Sequence, residues 1–140
     1  MPIFGTGLLR IDTGDVDYIN DTISCALLTS AYTPAQTDEF ASSFTGELAV
    51  SGYSRVNLAS KTITHDAGAR QINYDANDLL FTSLGAGATV VYAVIFKDTG
   101  NDATSPVLCW TDGLSVATDG NNLEVTVPTT GILYRQYPAA

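Results

Sequence analysis

The stretch Ala88–Asp112, ATVVYAVIFKDTGNDATSPVLCWTD, decides how the rest of the chain is read. From Thr89 to Lys97 it is almost wholly apolar, rich in β-branched and aromatic side chains, and it is followed by the turn formers Asp98-Thr99-Gly100-Asn101-Asp102. Successive side chains of a strand point to opposite faces. Val90, Tyr92, Val94 and Phe96 therefore make a bulky face, and Val91, Ala93 and Ile95 a smaller one. A run that is apolar on both faces fits a strand buried on both sides. A strand in a plain sandwich needs only one such face, so the second packs under another segment of this chain or under another copy. The stretch predicts two strands joined by a polar loop, Asp98–Ser105, which is long for a hairpin and carries two carboxylates, Asp98 and Asp102.

Outward from this hairpin, short strands recur with turn residues between them. Ile23–Thr29 alternates Ile23, Cys25 and Leu27 against Ala26 and Leu28, and Leu8–Thr13 is a shorter strand candidate. Leu58–Asp66 and Arg70–Asp75 are joined by Ala67–Ala69 as a tight hairpin, and Leu79–Ser83 follows. Asn121–Val127 is the cleanest amphipathic strand, with Leu123, Val125 and Val127 facing in and Glu124 and Thr126 facing out. Gly131–Tyr134 is the last. Between Gly46 and Asn57 the glycine-punctuated sequence reads as irregular. One short helix or 3₁₀ turn at most is expected, near residues 36–43, where Thr37 stands ahead of Asp38 and Glu39 and Phe40 lies four residues before Phe44. Met1–Leu9 reads as an apolar, glycine-bearing N-terminal arm, free or laid along a neighbour, and residues 136–140 as a C-terminal tail. The expected fold is one all-β domain over 1–140, an antiparallel β-sandwich or jelly-roll-like barrel.

At 140 residues the chain can bury a core of its own without cross-links. Fifteen acidic against six basic residues give a net charge of −9. The six cations, Arg10, Arg55, Lys61, Arg70, Lys97 and Arg135, never form a run. Phosphate neutralisation and adsorption to anionic lipid both need clustered Lys and Arg, so neither nucleic acid nor membrane is an expected partner. No apolar window reaches the roughly 18 residues of a spanning helix. The opening MPIFGTGLLRIDTGD lacks the basic and apolar regions of a signal peptide, so the protein is expected to remain in the compartment of synthesis. Cys25 and Cys109 sit in apolar runs and read as buried free thiols.

Chemistry is hard to find. The single histidine, His65, neighbours Asp66 in a strand candidate, and adjacent strand residues point to opposite faces, so Asp66 would not orient it. There is no nucleophile elbow, no zinc quartet and no glycine-rich phosphate loop. Glutamate occurs only at Glu39, Glu47 and Glu124, and most aspartates sit where turn chemistry explains them. Three acidic clusters invite a calcium test: Asp12-Thr-Gly-Asp15-Val-Asp17, Asp75-Ala-Asn77-Asp78 and Asp98-Thr-Gly-Asn-Asp102. None has the spacing of an EF-hand loop with its closing glutamate, so no cofactor is expected. The residues best placed for contact with a partner are Ile3 and Phe4 in the arm, Asp98 and Asp102 at the hairpin tip, and Tyr137 in the tail.

Four stretches taken together, ALLTSAYTPAQTDEF at Ala26–Phe40, SGYSR at Ser51–Arg55, KTITHDAGARQINYDANDLLFTSL at Lys61–Leu84 and YAVIFKDTGNDATSPVLCW at Tyr92–Trp110, resemble a family of small virion structural proteins of tailed bacteriophages. The resemblance spans about Ile23 to Tyr134. It implies a non-enzymatic virion component made in the host cytoplasm, best matched to a capsid decoration (cement) protein. Its implied partners are copies of itself, with a trimer as the first expectation, and the major capsid protein. Head–tail completion, tail or fibre positions, and a carbohydrate-binding module, are the alternatives.

Overall fold

The computed structural model describes residues 1–139. In chain order the elements are α1 (Gly5–Thr13), β1 (Ile23–Leu28), β2 (Val56–Asn57), β3 (Thr62–Asp66), β4 (Gln71–Asp75), β5 (Leu79–Phe81), β6 (Thr89–Val90), β7 (Tyr92–Lys97), β8 (Val107–Trp110), β9 (Val116–Ala117), β10 (Leu123–Val125) and β11 (Leu133–Gln136). Short 3₁₀ turns lie at Ala41–Ser43 and Asp102–Thr104. The strands form antiparallel sheets in the orders β2-β1-β7-β8, β11-β4-β3, β10-β5 and β6-β9. The fold is all-β and sandwich-like. Among the described residues no sheet closes into a barrel.

β7 is central, and both of its faces are buried, each for a separate reason. Ala93 and Ile95 face Cys25, Leu27, Leu108 and Cys109 of the same sheet and, beyond them, Tyr74, Leu79, Phe81, Val125 and Leu133 from the smaller sheets. Val94 and Phe96 point the other way, with Ala26, Leu28 and Val107, into a second cluster closed by Phe4, Tyr32 and Ala41 and flanked by Phe44, Tyr92 and Trp110. The cover on this second face comes from the chain itself, from the segments before β1 and between β1 and β2. The expected single strand Thr89–Lys97 is split at Val91, whose N–H donates to Leu28 O at 2.8 Å. That break moves Val90 to the Ala93–Ile95 side, so only Tyr92–Phe96 keep the expected alternation. A bulge between β7 and β8 pairs Ile95 with Cys109 and Phe96 with Val107, leaving Leu108 as the extra residue. Leu108 and Cys109 thereby face the same cluster.

The N-terminal expectations are overturned. Leu8–Thr13 is not a strand but the body of α1, and Met1–Leu9 is not a free arm. Ile3 bridges Cys109 of β8, Phe4 N–H donates to Leu108 O (2.9 Å) and Trp110 N–H donates to Pro2 O (3.0 Å), so this segment covers the outer edge of β8. The helix has no side-chain cap of its own. Gln36, distant in sequence, accepts from Gly5 N–H (2.9 Å) and donates to Ile3 O (3.1 Å). At Gly7 the helix rests on β8 so closely that a Cβ would lie 2.3 Å from Val107 O. Gly14, at φ +82°, ends the helix in the left-handed conformation that glycine tolerates.

Elsewhere most differences are of length, but β2 lies within Gly46–Asn57, expected to be irregular, and β9 has no counterpart among the expected strands. The β3–β4 hairpin forms as read, but β3 starts at Thr62 rather than Leu58, and β10 is shorter than Asn121–Val127. The element expected near 36–43 is the 3₁₀ turn at Ala41–Ser43, but the limit of one such element is exceeded by α1 and by the 3₁₀ turn at Asp102–Thr104. The tail starts later than expected, because Gln136 lies in β11 and Tyr137 N–H donates to Arg70 O (3.0 Å). Its last residue, at 140, lies outside the described residues.

Candidate functional site

The residues singled out for partner contact separate once folded. Phe4 is fully buried against Trp110, ring centroids 4.4 Å apart, so it is core and not surface; apolar cover for β8 and for the Val94–Phe96 face is what it supplies. Ile3 is half-buried in the bridge to Cys109. Asp98 serves its own turn, accepting from Gly100 N–H at 2.8 Å. Asp102 is engaged more deeply: the Arg55 guanidinium donates to both of its oxygens at 2.7 and 2.9 Å. The same guanidinium donates to both Glu47 oxygens at 2.8 Å, and its carbon lies 5.0 Å from the centre of the Phe96 ring. Tyr53 completes the group, donating its hydroxyl to Glu47 (2.7 Å) and accepting from Leu27 N–H (3.1 Å). Hydrogen bonds from Arg55 hold the Asp102 carboxyl below the ordinary carboxylate range. Burial, then the bond to Glu47, raises the Tyr53 phenol well above its usual value. The network locks the β7–β8 loop to the chain ahead of β2. Its members are 47 and 8 residues apart from Arg55 in sequence, a separation that no local motif signals.

The remaining chemistry-bearing groups are likewise engaged. Cys25 pairs with Ile95, and Ile95 with Cys109, so the two thiols lie on one face with β7 between them. Two strand spacings put them roughly 9–10 Å apart, beyond the ~7 Å limit for a disulfide between Cα atoms. Both are free and fully buried, and burial pushes the Cys109 thiol up to about 12. In the acidic clusters, Asp12 pairs with Arg135 and Asp15 with Arg10. Asp17 accepts from the side chain and backbone of Asn20 and from Ile19 N–H, which lowers its pKa. Asp78 accepts from Val127 N–H (2.7 Å) and Asp75 from Ala76 N–H (2.9 Å). Among the described residues, no three His, Cys, Asp or Glu side chains are grouped to hold a metal ion.

Two surface features stand apart from these internal ties. The first is a cleft of about 460 Å³ lined by Met1, Leu114, Val125 and Pro128, with Asp112 and Glu124 also on its wall. Asp112 accepts from the Trp110 indole N–H (3.0 Å). Sequence alone does not bring these two carboxylates together, since one follows β8 and the other lies in β10. The second is β3, the outer strand of its sheet, whose five residues are all exposed. Among the described residues, no backbone group of Thr62–Asp66 bonds any segment but β4. His65 and Ile63 share the face on which Tyr137 lies. The Tyr137 hydroxyl is 2.6 Å from His65 Nε2, and Ile63 and Tyr137 are 44% and 40% exposed. No helix among the described residues is long and apolar enough to cross a membrane.

Comparison with protein-family models, with curated proteins and with solved structures finds no match.

Proposed function

We propose that the protein is a non-enzymatic structural component of a bacteriophage virion, a capsid decoration protein that binds the head as an oligomer over the major capsid protein. The observation that carries this reading is where the reactive side chains have gone. The one histidine lies on an exposed outer strand bonded to a tyrosine, and both thiols are buried beside Ile95. The carboxylates of the three acidic clusters in the sequence are bonded to arginines or to backbone and side-chain amides. Such groups hold loops in place instead of converging on a substrate, as suits a rigid module whose work is adhesion. The resemblance over Ile23–Tyr134 supplies the virion, and an unpaired strand edge supplies a means of lateral contact. Mass spectrometry of purified particles of the phage that encodes the chain should find it in a fixed ratio to the major capsid protein, and cryo-EM should place its density on the outer head. Its absence from the particle defeats the reading; density at the neck, tail or fibres would replace decoration by one of those roles.

A further inference from the structure

We propose that β3 is a pairing edge for a second copy of the chain, joined antiparallel across a two-fold axis that passes through Thr64. A strand edge presents alternating unpaired N–H and C=O groups, and proteins that do not use one blunt it with short strands, charged side chains, proline, bulges or a covering segment. Here the charges stand only at the ends of β3, Lys61 just before it and Asp66 as its last residue. β3, Thr62-Ile63-Thr64-His65-Asp66, has no proline and no bulge, and it combines Thr and Ile, residues that suit a pleated edge. The outer edge of β8, by contrast, is covered by Pro2–Phe4 and by Glu39, whose carbonyl accepts from Val107 N–H at 3.1 Å.

Self-complementarity selects the occupant. Antiparallel strands related by a two-fold axis keep their faces aligned, so odd residues oppose odd and even oppose even. Of the registers this allows, the one centred on Thr64 uses all five residues. It sets Thr64 opposite Thr64, Thr62 opposite Asp66 and Ile63 opposite His65. No like charges meet directly, and a threonine hydroxyl is offered to each Asp66 carboxylate. On the other face, Ile63 of one copy packs on the His65–Tyr137 pair of the other, which covers side chains left exposed in the single chain. Charge argues the same way. The chain carries −9, but the segment Lys61–Asp75 has a formal charge of zero, with Lys61 and Arg70 matching Asp66 and Asp75 in number, although the Lys61 ammonium itself turns to Asp21 O. Two copies meeting here avoid the repulsion that most other faces would bring. The inference stands whether or not the protein is found in a virion.

The test is light scattering on the full chain over about 10 to 500 µM, the range suited to an interface well below the standard size of roughly 1,600 Å². The wild type should move from monomer to dimer, and added salt should tighten the dimer by screening the net charge. T64K and T64D each place like charges on the axis and should weaken association at least tenfold, whereas an equimolar mixture of the two should form the heterodimer. Unchanged circular dichroism and melting temperature in both variants establish that they fold. A wild type that stays monomeric throughout, an oligomer of any order that T64K leaves intact, or a mixture that stays monomeric overturns the proposal.

Discussion

Replacing Arg55 by methionine tests the claim that a single guanidinium ties the β7–β8 loop to the body of the domain. Methionine keeps an apolar stem near Phe96 and removes the contacts to Glu47 and Asp102, four hydrogen bonds of 2.7–2.9 Å. Fully exposed ion pairs are worth about 0.2–1 kcal/mol each. These two are bidentate, which strengthens them, and Arg55 and Glu47 are only 24% and 27% exposed. Asp102, at 46%, regains water when freed, and Glu47 keeps the Tyr53 hydroxyl, so neither is left as a buried orphan. The expected loss is about 2 kcal/mol. With an unfolding entropy of about 2.1 cal/mol/K per residue, that lowers the melting temperature of a chain this size by about 7 °C.

The same substitution has a pH signature. A carboxylate with a folded pKa below its unfolded value adds stability above the unfolded value, and that stability is lost as pH falls towards the folded one. For Asp102 the unfolded reference is 3.8 and the folded value is lower, through Arg55 first. The wild type should therefore lose this increment below about pH 4, and R55M should lack it at every pH. Melts by circular dichroism from neutral pH to pH 3 would show the gap between the two proteins narrowing on the acid side. A gap under about 0.5 kcal/mol at neutral pH, or one that widens in acid, would refute the reasoning.

The rest of the loop and core give sharper contrasts. Asp98→Ala removes one acceptor in an exposed turn, so chemical denaturation should find it within about 0.5 kcal/mol of wild type; unfolding instead would make the loop a structural element. Ile95→Asp puts a carboxylate at a fully buried position between Cys25 and Cys109, a cost that rivals the whole stability of about 5–15 kcal/mol. The variant should lack a cooperative transition. For Gly7→Ala two effects compete: alanine gains about 1 kcal/mol of helix propensity, but its Cβ must displace the Val107 carbonyl 2.3 Å away. Overpacking costs about 1–3 kcal/mol, and because the neighbour is backbone we expect net destabilisation of about 1 kcal/mol in urea. A stabilised variant would mean that α1 lifts from β8 without penalty.

The strand cores and the β3–β4 hairpin were legible because their information is local: alternation in Ile23–Leu28, a short break at Ala67–Ala69, which the structure extends to Arg70, and an apolar run ending in Asp-Thr-Gly. The helix was not, because α1 depends on what is far away. Its sequence, GTGLLRIDT, carries two glycines and no capping side chain, and its N-terminus is satisfied by Gln36. Gly14 and the three-residue spacing of Leu8 and Ile11 were the available signals, but a strand template fits the same short run. The break at Val91 was equally hidden, since a residue that leaves one sheet for another has the same side chain in either. At the candidate surface, Tyr137 was named from sequence but His65 was set aside, because only the register of β3, β4 and β11 brings the two rings together.

Five of the six cations explain how a chain with so many short elements keeps its loops fixed. Arg10 pairs with Asp15 and Glu39, linking α1 to the segment that covers the second core. Arg135 reaches from β11 to Asp12 at the end of α1. Lys97 pairs with Asp21 (2.8 Å) and donates to Asp15 O, Lys61 donates to Asp21 O, and Arg55 binds its two carboxylates. Each sits at a seam between segments that regular hydrogen bonding does not join. Arg70, at the β3–β4 tip, is in no ion pair among the described residues. Five cations are thus consumed in holding the monomer together, and the acidic excess is left to face outward over most of the surface. The self-association proposed above would be least opposed where that excess is smallest. The β3–β4 hairpin keeps Arg70 at its tip, with Asp66 and Asp75 in its strands, and has an open backbone edge along β3, which is why we place the self-contact there.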